Sequence, residues 1–153
     1  MLMNNRELQH LTEKWSVEYF HRPFVHQIFF NRRLRTTGGR YHLSDGYIDI
    51  NPLMYTEFGL ANLKGVVLHE LCHYHLHQTG QDYRHRSRAF RTLLAQVGGS
   101  RYAPATSKAQ PPHRHLIYQC QGCGAVIARQ RHFNIHRYIC RRCGHHFQLV
   151  AGK

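Results

Sequence analysis

Apolar positions recur at helical spacing three times in the first part of the 153-residue chain. Leu8, Leu11, Trp15 and Tyr19 lie three or four apart and predict a helix over residues 5–20. Leu60, Leu63, Val66, Val67, Leu68, Leu71 and Leu76 predict a longer helix over 59–78, with Gly80 as its stop. Phe90, Leu93, Leu94 and Val97 predict a third over about 86–97, ended by Gly98-Gly99. Between the first two helices the pattern changes. RPFVHQIFFNRRLRTTGGRYHLSDGYIDINP is rich in aromatic and β-branched residues, with Gly38-Gly39 and Asp45-Gly46 as turn signals. It predicts strands near 25–35, 40–44 and 47–50, the last closed by Asn51-Pro52. SRYAPATSKAQPPH, residues 100–113, follows neither period and reads as a linker. Residues 114–153 then form a small β-rich module marked by paired cysteines. The order α-β-β-β-α-α, followed by that module, predicts an α+β fold with its core in residues 1–99.

The longest helix carries groups that resist burial. In VVLHELCHYHLHQTG, His69-Glu70-Leu71-Cys72-His73 is an H-E-x-x-H motif. A spacing of four puts His69 and His73 on one helical face, where both imidazoles can ligate one Zn²⁺ at ~2.0–2.1 Å. Glu70 follows the first ligand and is placed to take a proton from a zinc-activated water, the chemistry of peptide hydrolysis. A catalytic zinc takes a third protein ligand and keeps one position open. His85, past the Gly80 turn, is the preferred candidate and His77 the second. His75 points away across the helix axis. His75 and His77 otherwise read as solvated surface, and Cys72 as a small buried residue.

Composition and charge extend the picture. No apolar run approaches the ~18–20 residues of a membrane helix. The N-terminal MLMNNRELQHLTEKW lacks the apolar stretch of a secretory signal, so the cytoplasm is the expected compartment and no membrane partner is expected. There, cysteines serve as metal ligands or free thiols rather than disulfides. The net charge of +13 is unevenly placed: residues 1–82 hold 8 Lys+Arg against 8 Asp+Glu, whereas 83–153 hold 13 and no acid. A basic half beside a neutral one implies a polyanionic partner, of which nucleic acid is the usual kind. Cys120-x-x-Cys123 and Cys140-x-x-Cys143 have the spacing of a closed Cys₄ zinc ribbon, a structural site. Around them Arg129, Arg131, Arg137, Arg141 and Arg142 alternate with Tyr118, Phe133, Tyr138 and Phe147. Such a mixture predicts nucleic-acid binding with little sequence preference, about half of the aromatics being needed for the module's own core.

HELCHYHLH followed by YRHRSRAF resembles the SprT-like zinc metalloproteases, as do PFVHQIFFNRRLRTTGGRYHL and YIDINP upstream. The paired cysteines resemble the zinc ribbon that follows the protease domain in bacterial members, so the likeness runs from about residue 5 to 149. The resemblance implies a small zincin-like core with catalytic zinc on His69, His73 and His85, and Glu70 as the catalytic residue. It also implies a substrate class, because the eukaryotic relative Spartan cleaves proteins crosslinked to DNA. One departure is visible: Spartan-like members follow the third histidine with H-G-P-x-F, whereas His85 opens H-R-S-R-A-F, one residue longer. The expectation is a zinc-dependent endopeptidase acting on a protein or peptide, with one catalytic and one structural zinc. The alternative is a non-catalytic zinc-containing nucleic-acid-binding protein. An exposed strand edge within 25–50 is a place for an extended substrate to add as a further strand, the other reading being a sheet that only supports the motif helix.

Overall fold

A computed structural model describes residues 2–109 and 115–152 of the chain. It divides into two compact units, Met1–Ala109 and Gln110–Lys153. The fold is mixed α+β with small sheets, as expected.

In the first unit, helix α1 (Asn5–Phe20) opens with a capping box. The Asn4 side chain accepts from the Glu7 amide and the Glu7 carboxylate accepts from the Asn4 amide, satisfying two otherwise orphaned donors. Three short strands follow: β1 (Ile28–Phe30), β2 (Gly39–Tyr41) and β3 (Ile48–Ile50). The order is β1-β3-β2, with β1 parallel and β2 antiparallel to β3, so β2 is an edge. The Asp45-Gly46 turn joins β2 to β3, with Gly46 at φ 72°. Gly38-Gly39 is not the expected turn. It marks a close approach: a Cβ on Gly39 would lie 2.8 Å from Ile50 Cδ1 and 3.1 Å from Glu70 Cγ.

A four-residue helix α2 (Leu53–Thr56), which the hydrophobic pattern missed, leads into α3 (Gly59–Gln78). The boundaries of α3 are those expected. Its apolar residues are not confined to one stripe, because β2, α1, α2 and α4 (Arg88–Val97) all pack against it. Leu63, Val67 and Leu71 are fully buried there, as is Cys72. His75 is a correction: it lies in the core rather than on the surface. Its Nε2 donates to Ser16 Oγ at 2.8 Å, because that hydroxyl spends its own proton on the Arg22 carbonyl. His77 is half-buried, with Nδ1 2.6 Å from the Tyr41 hydroxyl.

Strand β3 buries a carboxylate at its centre. Asp49 accepts two bonds from the Arg40 guanidinium, at 3.2 and 2.7 Å, and one from Asn31 at 2.7 Å. Burial alone would raise its pKa, but the bonds from Arg40 and Asn31, with His42 nearby, outweigh that and hold it below the ordinary value. Because the folded pKa is depressed, this stabilisation is present above about pH 4 and fades as pH falls through the folded value. Asp49→Asn is expected to cost about 2–3 kcal/mol, since it leaves Arg40 and Asn31 facing a neutral amide; urea unfolding at neutral pH measures this.

The expected linker differs in its first ten residues. Residues 100–109 lie along the first unit: Ser100 N–H donates to the Gly65 carbonyl, and Thr106, which is buried, donates to the Arg35 carbonyl. Ser107 bonds the Glu57 carboxylate through both amide and hydroxyl. Residues 110–113 of that linker, and position 114 at the expected start of the module, lie outside the described residues.

In the second unit, β4 (Leu116–Cys120) pairs antiparallel with β5 (Val126–Arg129) on one side and β6 (Phe147–Ala151) on the other. Its core is small: Leu116, Tyr118, Cys120, Cys140 and Phe147 are buried, with Phe133 packed against them.

Candidate metal centres

Helix α3 projects His69 and His73 one turn apart, and the loop before α4 brings His85 over them. The three Nε2 atoms converge, at 2.9 Å for His69–His85, 3.0 Å for His73–His85 and 3.2 Å for His69–His73. Two of the rings are held by backbone carbonyls behind them. His69 Nδ1 donates to Ser100 O and His73 Nδ1 to Tyr83 O, each at 2.7 Å. A carbonyl can only accept, so each neutral ring carries its proton on Nδ1 and turns an Nε2 lone pair inward. Converging lone pairs with no proton between them repel unless a cation sits among them. Burial, followed by the neighbouring imidazoles, holds both rings below the ordinary histidine pKa against the opposing carbonyl bonds, His73 at about 4. Both are therefore neutral and ligand-ready at pH 7. Three nitrogen donors with a fourth side open fit zinc.

His77, the second candidate, is engaged by Tyr41 and is not among the convergent nitrogens. Between His85 and Phe90, Ser87 caps α4 by accepting from the Phe90 amide. Phe90 is a site residue that the sequence reading placed only as helix core. Its ring stacks on His73 with centroids 4.3 Å apart and meets His69 and His85 edge-on, both at 5.1 Å. It forms an apolar support under all three imidazoles.

Glu70 is buried beside β2. Burial first, then the nearby Asp49 charge, pushes its pKa up to about 8 against a bond from the Tyr41 backbone. A divalent cation among the histidines would draw it back toward the ionised form. The cleft over this cluster is lined by residues 36–41 with β2, by Tyr83, Arg84 and His85, by α4 and by residues 98–103.

Two glycines let residues 98–101 reach His69. A Cβ on Gly99 would meet the His69 amide at 3.2 Å, and one on Gly65 would collide with the Ser100 side chain. Gly65→Ala is expected to turn the Ser100 hydroxyl aside and shift its Cβ slightly, loosening the His69 ring and weakening zinc binding by up to about 10-fold. Adding Ser100→Gly removes the obstacle and is expected to restore most of that affinity, read by zinc competition titration.

In the second unit, the Sγ atoms of Cys120, Cys123, Cys140 and Cys143 gather within 4.8 Å of one another, and all four are free thiols. Burial would raise the Cys120 pKa, but the Cys123 and Gly122 amides outweigh it and bring it to about 6. At Cys143 an amide favours the thiolate, yet the crowding sulfurs push the pKa up to about 11. Four sulfurs this close cannot all ionise without a cation, and a tetrahedral Cys₄ set fits zinc. Arg129, Arg131, Arg137, Arg141 and Arg142 are all exposed, and none pairs with a carboxylate among the described residues. Of the aromatics, Tyr118 and Phe147 are buried and Phe133 packs on Tyr118 at 4.4 Å, leaving Tyr138 exposed.

A mixed α+β unit bearing a three-histidine cluster, joined to a four-cysteine unit, defines a class of chain with two candidate metal centres. The chain belongs to the SprT-like family, which matches residues 8–110. It is 54% identical over 148 residues to Protein SprT-like of Lactiplantibacillus plantarum, covering 97% of this chain and 100% of that one. Identity is 48% to the Enterococcus faecalis protein of the same name, over 92% of each chain. It is 47% to that of Geobacillus kaustophilus, over 92% of this chain and 95% of that one. No solved structure matches. Among the described residues no helix is long and apolar enough to cross a membrane.

Proposed function

We propose that the protein is a cytoplasmic zinc metalloendopeptidase, with catalytic zinc on His69, His73 and His85 and Glu70 as general base. The observation that carries this reading is the convergence of three Nε2 atoms within 3.2 Å of one another, beside a buried carboxylate. Zinc, when bound, polarises a peptide carbonyl and makes water acidic enough to deprotonate near neutral pH. The chain's own residues supply the rest. Glu70 takes the proton of the attacking water and passes it to the leaving nitrogen. The carbonyls of Ser100 and Tyr83 fix two rings, and Phe90 keeps water from beneath them. The edge of β2 away from β3, where the Tyr41 backbone also bonds Glu70, offers main-chain hydrogen bonds to an extended substrate, which makes recognition tolerant of sequence.

A second zinc, on Cys120, Cys123, Cys140 and Cys143, folds the C-terminal module. Arg129, Arg131, Arg137, Arg141 and Arg142 then bind nucleic acid and bring the peptidase to DNA-associated proteins. Their exposure without carboxylate partners among the described residues supports this reading; the burial of most of the aromatics shifts the binding toward phosphate contacts rather than base stacking. The alternative, a non-catalytic nucleic-acid-binding protein, leaves the buried Glu70 beside the histidines without a task.

Hydrolysis of an unstructured protein substrate, followed through metal removal and zinc re-addition, tests the reading. Activity lost to a chelator and regained with zinc is the expected result. Hydrolysis that persists in the metal-free protein overturns it.

A further inference from the structure

The cleft over the histidines has a volume of about 1200 Å³, above the roughly 300–1,000 Å³ of a small-molecule pocket, so it accommodates a peptide segment. Its charges are one-sided. Glu70, buried, is the sole carboxylate on its wall, against Arg40, Arg84, Arg91 and Arg101. Two of these arginines are already committed: Arg40 is bidentate to Asp49 and Arg84 is bidentate to Asp82. Arg91 and Arg101 have no carboxylate partner among the described residues. Both stand one residue from a group that touches the histidines. Arg91 follows Phe90, whose ring lies on His73, and Arg101 follows Ser100, whose carbonyl holds His69. The Arg101 guanidinium lies over the Tyr102 ring at 5.3 Å, a contact that restrains it at the rim. Leu94, Ala95 and Gly98 of the turns that follow Arg91 line the cleft as well, an apolar stretch suited to the stem of a side chain.

We propose that Arg91 and Arg101 form a carboxylate-binding subsite, and that the cleft selects protein segments with an acidic side chain on the α4 side of the histidine cluster. The proposal rests on the peptidase reading only for the substrate being cleaved; the carboxylate subsite stands on its own. Unpaired guanidiniums above low-dielectric walls concentrate their field on whatever enters, and each offers a carboxylate paired N–H donors. Two arginines without carboxylate partners on the wall of one cleft suit a single carboxylate better than the phosphate track of a nucleic acid, which needs a row of cations.

The test compares two labelled peptides that differ only in Glu or Gln at one position, scanned along the peptide. The zinc-loaded full chain is assayed beside its Arg91→Gln/Arg101→Gln and Arg91→Lys/Arg101→Lys forms. At one position the expected kcat/KM ratio, Glu over Gln, is about tenfold in the parent and falls to about one in the glutamine form. It is partly recovered in the lysine form and declines with added salt. A ratio near one at every position in the parent, or an unchanged ratio in the glutamine form, overturns the proposal. Should neither peptide be cleaved, the peptidase reading fails, and fluorescence anisotropy of the same peptides decides the subsite. Tighter binding of the Glu peptide, lost in the glutamine form, sustains it. Equal affinities overturn it, as does Arg91- and Arg101-dependent binding of a single-stranded oligonucleotide without Glu/Gln discrimination.

Discussion

Cys140→Ser is expected to unfold the C-terminal module while residues 2–109 keep their structure. The module buries only five residues, two of them the cysteines Cys120 and Cys140. So small a core does not offset the chain entropy of some forty residues, and a metal on the four cysteines would take its place. Structural zinc in modules of this kind contributes about 10–16 kcal/mol of apparent binding free energy, which here is folding free energy. Cys140 is buried, with its Sγ 3.7 Å from that of Cys123, so serine puts a poor ligand inside a closed site. Amide hydrogen exchange measures the outcome. Protection of the β4, β5 and β6 amides is expected to vanish in Cys140→Ser, with α3 and β3 unaffected. Persisting protection in the module would mean that its fold does not depend on the four-sulfur site.

The second large effect is expected at the other centre. His73→Ala removes a ring that meets both partner imidazoles and stacks on Phe90. Two donors remain, and the Tyr83 carbonyl loses the proton that it accepted. The drop in zinc affinity is expected to exceed the roughly 10- to 100-fold that loss of an outer partner causes, and hydrolysis is expected to disappear with it. Metal analysis after dialysis is expected to find one zinc per chain in His73→Ala against two in the parent. His75→Ala is the informative contrast. It removes a more deeply buried imidazole, yet that ring bonds Ser16 away from the histidine cluster, so it is expected to lower stability and leave the zinc count at two.

How much of this was legible depended on whether the information lay in side-chain types or in backbone atoms. The bounds of α3 and the pairing of its two histidines follow from spacing alone, because a helix converts sequence separation into direction. His85 was reached by asking which histidine a turn could bring back, and the geometry places it with the other two. The carbonyls of Ser100 and Tyr83 were out of reach: every residue has a carbonyl, so no residue type announces it. Gly65 could have been noticed, since a glycine inside a strongly helical run asks for a close neighbour. Its neighbour, Ser100, was hidden in a segment whose composition resembles a linker. The strands came out shorter than expected because Phe24, Ile28 and Leu34 fill the core from loops as well as from β1. His75 was misplaced because polar type was taken for exposure; one serine hydroxyl suffices to bury an imidazole.

The central claim is that Glu70 works as the base of a zinc peptidase. Its most direct test is cleavage of a basic DNA-binding protein by the zinc-loaded chain and by Glu70→Gln, with and without single-stranded DNA. Glutamine nearly matches the carboxylate in shape and leaves the three histidines in place, so both proteins are expected to hold the same zinc. Cleavage by the parent, stimulated by DNA and reduced at least about 100-fold in Glu70→Gln, is the predicted result. Equal cleavage by the two proteins, or none by either while zinc and DNA are both bound, would contradict the account.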